Sequence, residues 1–474
     1  MGAPQRLAAL LPEPAIRAVQ RMRHRENPMG GRLRPPPPPA AALVVDSFDA
    51  HVTRRVIAAT CMGALAVAGV AYARTPAPRN HTYRLVVARA DRRRTMAALL
   101  ELGGPGWQIQ SPRGGNLRVT RRIYASTGAE LAADDIGCVV SFCPAPTAVP
   151  SATALPSAFE VREPVDLVYT WVDGADSAWQ ARRAAHTADH AQLHATATNW
   201  SRFHSRDELR YSLRSVAMYA SWVRHIHIVT DSQVPSWLNT AHPKISVVDH
   251  RDIFDDPSVL PAFNSHAIES QLHHIPDLAE QYIYMNDDVF FGRLVEPELF
   301  FHGNGIAKFF LSTEPIRPGR ITSDDLPAMA AAKRQRDLLA EDFGVAVTQK
   351  FEHGAHPQLR SVLEDLQKQR ADDFDRIARS RFRHPDDLSI ASSLHHYYAY
   401  LTGRAVPGQM DFRYQDIGQA CTPRRLDAIR RDRPQVFCLN DVDSPAAQLD
   451  SQQATLRAFL ERYFPLPSPF EHTQ

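Results

Sequence analysis

The chain has 474 residues, enough for two or three domains of the usual roughly 100–200 residues each. With 44% hydrophobic and 22% charged residues it has the make-up of a folded globular enzyme, and a net charge of +2 excludes a strongly basic nucleic-acid binder. Five cysteines (Cys61, Cys138, Cys143, Cys421 and Cys438), odd in number and without a CxxC pair, argue against a disulfide scaffold and a structural zinc site. They fit free thiols in a reducing cytoplasm.

Residues 1–41 mix charge with short apolar runs and end in the prolines of Pro35 to Pro39. Such a segment buries too little apolar surface to offset the entropy of ordering, so it reads as a disordered leader. It has no apolar core or small-residue cleavage site of the secretory kind. Val56 to Ala73 is the one stretch that resembles a membrane span. It is short for the roughly 20 residues a span needs and is built on Ala and Gly. A buried helix ending near Gly69 and leading into a strand at Val70-Ala71-Tyr72 accounts for it equally well.

Residues 42–145 read as a small α/β accessory domain. A strand at Tyr83 to Ala88 precedes a helix at Arg92 to Leu102, and further strands lie around Leu117 to Tyr124 and Cys138 to Phe142. Residues 146–160, rich in Pro, Ser, Ala and Thr, read as a linker. From 161 to 474 the pattern changes to short apolar strands separated by helices: Val165 to Thr170, His225 to Val229, Ile245 to Val248 and Tyr282 to Met285. Between the first two, Asp207 to Tyr219 places Leu209, Leu213 and Val216 on one helical face. This alternation predicts a Rossmann-type α/β domain with a mostly parallel sheet covered on both faces.

Ligands of such sheets bind beyond the carboxyl ends of the strands. There the sequence carries Thr170-Trp171-Val172-Asp173, Asp231, Asp249 and Asn286-Asp287-Asp288. A single aspartate at such a place is ordinarily a turn or cap residue. Charge set after the apolar run Tyr282 to Met285 is harder to accommodate without a partner or a cation. Nucleotide diphosphates need a hard divalent ion, Mg²⁺ or Mn²⁺, and such ions prefer carboxylate oxygen. Asp287 and Asp288 at a strand end are expected to reach one site. Downstream lie His353-Gly354-Ala355-His356, the run Arg379 to Asp387 and Cys438-Leu439-Asn440-Asp441. The first has zinc-like i, i+3 histidine spacing, but its Gly and Pro neighbours argue against a helical ligand pair.

Four ordered blocks of this chain resemble the Stealth family of phosphotransferases. The first is Asp166 to Gly174. The second runs from Ser205-Arg206-Asp207-Glu208-Leu209-Arg210 through Phe263 to Glu269 and Tyr284 to Gly292. The third holds His353 and Arg381-Phe382-Arg383-His384, and the fourth runs from Cys438-Leu439-Asn440-Asp441 to Phe470-Glu471. One departure is His353-Gly354-Ala355, where the family often reads His-x-Pro. The resemblance implies a glycosyltransferase-like catalytic domain that moves a hexose 1-phosphate from a nucleotide diphosphate sugar, a UDP-sugar foremost, to a glycan hydroxyl in capsular or cell-surface polysaccharide synthesis. It suggests a cytoplasmic enzyme, with association at the inner face of the membrane an open point. The expected site has Asp287, His353 and Arg383 as catalytic groups and Asp287, Asp288 and Asp441 as metal ligands. Thr170, Trp171, Asp173, Arg206, Arg210, Asp231, Asn286 and Asn440 are expected to hold substrate. Arg206 and Arg210, one helical turn apart, are expected to face the phosphates together. Whether Asp287 serves the metal or takes the acceptor's proton is open. A metal-dependent glycosyltransferase that moves the sugar alone, or a non-catalytic carbohydrate-binding relative, would carry much of the same pattern.

Overall fold

At the N-terminal end of the described residues an apolar helix covers a sheet. The computed structural model describes residues 42–75, 82–111, 115–132, 136–144, 157–187, 203–322, 325–384, 386–442, 444–445 and 448–472. The leader expected over 1–41, and the linker as far as residue 156, lie outside them. The described residues belong to one compact unit, 38–474.

Strand β1 (Leu43–Val45) leads into helix α1 (Ala50–Val67), whose first turn is capped by the Asp49 carboxylate. Gly69, in the left-handed region at φ 63°, turns the chain after α1. Five strands follow: β2 (Tyr72–Thr75), β3 (Thr82–Ala88), β4 (Trp107–Gln110), β5 (Leu117–Arg121) and, after the short β6 (Ile123–Ala125), β7 (Gly137–Cys143). Helix α2 (Arg92–Leu100) lies between β3 and β4. The sheet order is β2-β3-β7-β5-β4, with β3 and β7 parallel and the other pairs antiparallel. Ile57, Ala58, Cys61 and Leu65 of α1 are buried, in the same core as Leu85, Val87, Val119 and Val140 of the sheet. The apolar stretch at 56–73 is thus used in packing, and among the described residues no helix is long and apolar enough to cross a membrane.

The larger sheet is built from β8 (Val165–Thr170), β9 (Ile226–Thr230), β10 (Ile245–Asp249) and β11 (Gln281–Asn286), all parallel, with an antiparallel edge strand β16 (His356–Leu359). Its order is β10-β9-β8-β11-β16. The order reverses between β8 and β11, which is the switch point where α/β sheets open a crevice for ligands. Thr170 and Asn286, the last residues of these two strands, are register partners across that point. The strands are apolar on both faces because helices cover both. Helix α3 (Ser177–Thr187) follows β8, and helix α4 (Glu208–Tyr219) is buried almost along its whole length.

After β11 the two-residue turn Asp287-Asp288 sends the chain into β12 (Val289–Phe291), which belongs to a second sheet. There β12 pairs antiparallel with β19 (Val436–Asn440), and β19 pairs parallel with β18 (Phe412–Asp416). The turn is held from α4: Ser212 Oγ donates to the Val289 carbonyl at 2.6 Å, and the Phe291 N–H donates to Ser215 Oγ at 3.0 Å. Small ladders β13 (Ala307–Phe309) with β17 (Ala405–Pro407), and β14 (Leu311–Pro315) with β15 (Gln349–Phe351), complete the framework. The N-terminal sheet docks on the far end of α4. Arg433 donates to the Leu131 carbonyl at 3.3 Å and to the Tyr219 hydroxyl at 2.8 Å, and Arg54 pairs with Glu296.

Candidate active site

The Tyr284 hydroxyl is the hub of the crevice between β8 and β11. It lies 3.1 Å from Thr170 Oγ1, 3.2 Å from Glu269 Oε1 and 2.9 Å from Asn286 Oδ1. Tyr284 and Asn286 share a face because they are two residues apart on one strand. Asn286 Nδ2 then reaches His353 Nε2 at 3.3 Å. His353 stands on the loop between β15 and β16, where it is exposed to solvent. The next residue must be small, since a Cβ at Gly354 would lie 2.9 Å from the Phe412 ring of β18.

On the other side of Tyr284, Glu269 ends the short helix α5 (Ser265–Glu269) and accepts from Ser392 Oγ at 3.0 Å. Arg383 lies close to both Glu269 and Tyr284, and its Nη2 donates to Ser265 Oγ at 2.7 Å. Its loop is fastened to α5. The Phe263 N–H donates to the Arg381 carbonyl at 2.8 Å, Asn264 Nδ2 donates to Asp387 at 2.7 Å, and the Phe263 and Phe382 rings stack at 5.3 Å. The site therefore joins Thr170, Glu269, Tyr284, Asn286 and His353 in one chain of contacts, with Arg383 tied to it through Ser265 of α5.

The two aspartates of the turn differ in their nearest partners. Asp288 lies beside the Cys438 thiol of β19, and its carboxylate, the thiol and a His353 ring nitrogen all lie within 4.8 Å of one another. The register of β12 against β19 makes this contact, since Cys438 is the partner of Val289 and the Leu439 N–H donates to the Asp288 carbonyl at 3.0 Å. Asp287 lies beside Glu208, the first residue of α4. Burial, with Glu208 and Asp288 as like-charged neighbours, raises the Asp287 carboxyl well above the usual carboxylate range. Burial likewise raises Asp288, against the opposing pull of His353 and Cys438. Glu208 is pushed up to about 7 by burial, although Arg206 acts to lower it. Three carboxyl groups thus share a place that a cation would relieve. Asp288 Oδ1 is buried without a hydrogen bond among the described residues, so a donor oxygen is available to one. The residues present fit a divalent ion at Asp288.

Other expected residues have other partners. Arg206 does not share a helical turn with Arg210: Asp207, in the left-handed region at φ 66°, separates Arg206 from α4. Arg206 is buried in a pair with Asp441, and Arg210 joins Arg214 on Glu471. The shared helical turn expected of the two arginines is therefore not formed. Asp441 has its oxygens engaged by Arg206 and by the Ser444 N–H at 3.1 Å, and it is not in the donor group of Asp288, His353 and Cys438. Asp231 is held by Arg182 at 2.8 and 3.0 Å. Asp173 closes its own turn by accepting from the Ala175 N–H at 2.9 Å, and Trp171 packs half-buried on the core. Asn440 Nδ2 donates to the Tyr414 hydroxyl at 3.1 Å, and the Tyr414 ring lies 6.4 Å from that of His353. His356 is buried against His396 at 3.1 Å and shares no donor cluster with His353. Glu269, Ser265, Tyr284, Glu208 and Cys438 had no assigned role in the sequence reading. Tyr284 looks like one more apolar strand residue, and Glu269 is marked only by ending the run Phe263 to Glu269.

Comparison with known proteins places these residues within four named regions. The descriptions Stealth protein conserved region 1, region 2, region 3 and region 4 match residues 163–190, 202–309, 352–400 and 427–474. The exopolysaccharide phosphotransferase SCO6023 of Streptomyces coelicolor is 48% identical over 330 residues, 69% of this chain and 55% of that protein. A second from the same organism, SCO2594, is 50% identical over 311 residues, 65% of this chain and 51% of that protein. The exopolysaccharide phosphotransferase CpsY of Mycobacterium tuberculosis is 41% identical over 318 residues, 67% of this chain and 59% of that protein. The chain thus spans little more than half the length of these relatives. Among solved structures, the galactosyltransferase LgtC with donor and acceptor sugar analogues is 13% identical, with a TM-score of 0.31 over 64% of this chain and 96% of that one. That likeness is too distant to bear on chemistry.

Proposed function

The chain belongs to the Stealth family, and from that membership we propose that it transfers a sugar 1-phosphate from a nucleotide diphosphate sugar to a glycan hydroxyl, in the synthesis of extracellular or cell-surface polysaccharide. The acceptor oxygen attacks the phosphorus next to the sugar, the bond from that phosphorus to the bridging oxygen breaks, and nucleoside monophosphate leaves. The product is a phosphodiester. The observation that carries this reading is the meeting of Asn286, His353 and Arg383, from three separate regions of the chain, around Tyr284 at the switch point.

Phosphoryl transfer is mainly positioning and charge neutralisation. Arg383 would hold the transferring phosphate with its planar fork of donors, its direction set by Ser265 and Glu269. His353, exposed at the mouth and oriented by Asn286, would donate to the leaving phosphate. Thr170, Trp171 and Asp173, at the end of β8, would border the nucleotide, with UDP as the expected carrier. A divalent ion, Mg²⁺ or Mn²⁺, would neutralise the diphosphate from Asp288. Asp287 is outside the Asp288 donor cluster and beside Glu208, which favours it as the group that takes the acceptor's proton. Arg206, Asp441, Asp231 and Arg210 would serve by holding the walls, since their charges are already matched.

The test is incubation with a panel of nucleotide sugars, a glycan acceptor and Mg²⁺ or Mn²⁺, reading the released nucleotide by mass. Nucleoside monophosphate supports the proposal; nucleoside diphosphate would make the protein a glycosyltransferase. Sugar binding without turnover would make it a binding relative.

A further inference from the structure

We propose that Asp288, His353 and Cys438 together form a three-ligand site for a thiophilic divalent cation of the zinc class. A carboxylate oxygen, a ring nitrogen and the thiol sulfur lie within 4.8 Å of one another. Zinc holds such donors at about 2.0 to 2.3 Å, so the set closes around an ion with a small turn of the exposed His353 ring.

Two of the ligands are fixed by backbone. Cys438 is fully buried in β19 and paired in register with Val289, the residue after Asp288. The Leu439 N–H on the Asp288 carbonyl, at 3.0 Å, ties the same two stretches again. Asp288 Oδ1 is buried and takes no hydrogen bond among the described residues. The third ligand, His353, is exposed, with Nε2 3.3 Å from Asn286 Nδ2 and its ring 6.4 Å from that of Tyr414.

The donor set selects the class of ion. Mg²⁺ takes oxygen and gives up its water reluctantly, whereas thiolate and imidazole suit Zn²⁺ and Co²⁺. Three protein ligands leave a fourth position on the solvent side, the arrangement in which water or a substrate oxygen completes the shell. An ion held this way engages His353, so Zn²⁺ inhibits the transfer. That consequence rests on the phosphotransfer reading; the binding itself does not.

The experiment titrates the purified, metal-stripped full chain with Co²⁺ alone, then with Zn²⁺. The expected result is a near-ultraviolet thiolate-to-cobalt charge-transfer band with tetrahedral visible absorption, both displaced by Zn²⁺. Cys438→Ser loses the near-ultraviolet band, and Asp288→Asn and His353→Ala each weaken Zn²⁺ binding by about tenfold or more. A six-coordinate cobalt spectrum without the thiolate band overturns the site. So does undiminished Zn²⁺ affinity in folded His353→Ala, whose position is exposed. Because no nucleotide sugar is present, a negative result leaves the phosphotransfer reading standing; an intact band without nucleotide release from any donor does the reverse.

Discussion

Asn286 Nδ2 lies 3.3 Å from His353 Nε2, joining the last residue of a central parallel strand to a solvent-exposed loop that precedes the sheet's edge strand. Through Asn286 the imidazole is coupled to Tyr284, and through Tyr284 to Glu269, which ends the helix whose Ser265 accepts from Arg383. The site is thus a relay of polar contacts laid across the end of the sheet.

His353→Ala, Arg383→Ala and Asp287→Ala are each expected to lose roughly 100- to 1000-fold in turnover, the usual cost of removing one electrostatic contact to a transition state. Steady-state rates with circular dichroism as a folding control read this. Near-normal turnover in any one variant removes that residue from the mechanism.

Tyr284→Phe removes only the hydroxyl that three neighbours share. Its stability cost is expected to be about 1–3 kcal/mol, because the buried partners lose a hydrogen bond. The telling readout is turnover of the folded variant: freeing Asn286 loosens its hold on His353 and should lower kcat. An unchanged kcat would show that Tyr284 serves stability alone.

Arg206 and Asp441 form a buried pair between residues 235 positions apart. Removing one partner strands the other's charge, so Arg206→Ala should destabilise the fold by about 3–5 kcal/mol, while a double replacement with apolar residues of similar volume should recover much of it. Denaturant unfolding of the single and double variants measures this. A stable Arg206→Ala with a raised KM for the nucleotide sugar would instead return Arg206 to the phosphates.

Acid stability should depend on Asp166, at the opposite end of β8. Burial pushes its carboxyl up, but Arg224, His227 and the Ala279 N–H together overcome this and hold it at about 2, below the ordinary 3.8. A depressed carboxylate gives stability that is fully present above about pH 4 and is lost as pH falls through about 2, here roughly 2 kcal/mol. Asp166→Asn should flatten that limb of the stability curve; an unchanged slope between pH 4 and 2 would contradict the pairing.

Binding of Mg²⁺ or Mn²⁺ should release protons near neutral pH, because burial pushes Glu208 up to about 7 and raises Asp287 as well, and a cation beside them favours their charged forms. Calorimetry in two buffers of different ionisation heat gives the number, and none released would place the ion elsewhere.

The sequence made the sheet readable because its central strands are apolar on both faces and end in polar residues, as Val165 to Thr170 and Gln281 to Asn286 show. The family resemblance, and no local pattern, singled out His353 and Arg383. What the sequence hid were pairings made over long separations. Nothing local says that Arg206 meets Asp441, that Arg182 takes Asp231, or that Cys438 arrives beside Asp288. Arg206 looked helical because its spacing to Arg210 is helical, and the left-handed Asp207 between them leaves no mark in a pattern of apolar residues. Nor does anything local say that Glu208 of α4 comes near Asp287.

The central claim concerns the fate of one phosphorus atom. A nucleotide sugar labelled with ³²P in the phosphate next to the sugar, incubated with the full chain, a glycan acceptor and Mg²⁺ or Mn²⁺, settles it. Label appearing in the glycan, with unlabelled nucleoside monophosphate released, is the predicted result. Label remaining in released nucleoside diphosphate would contradict it.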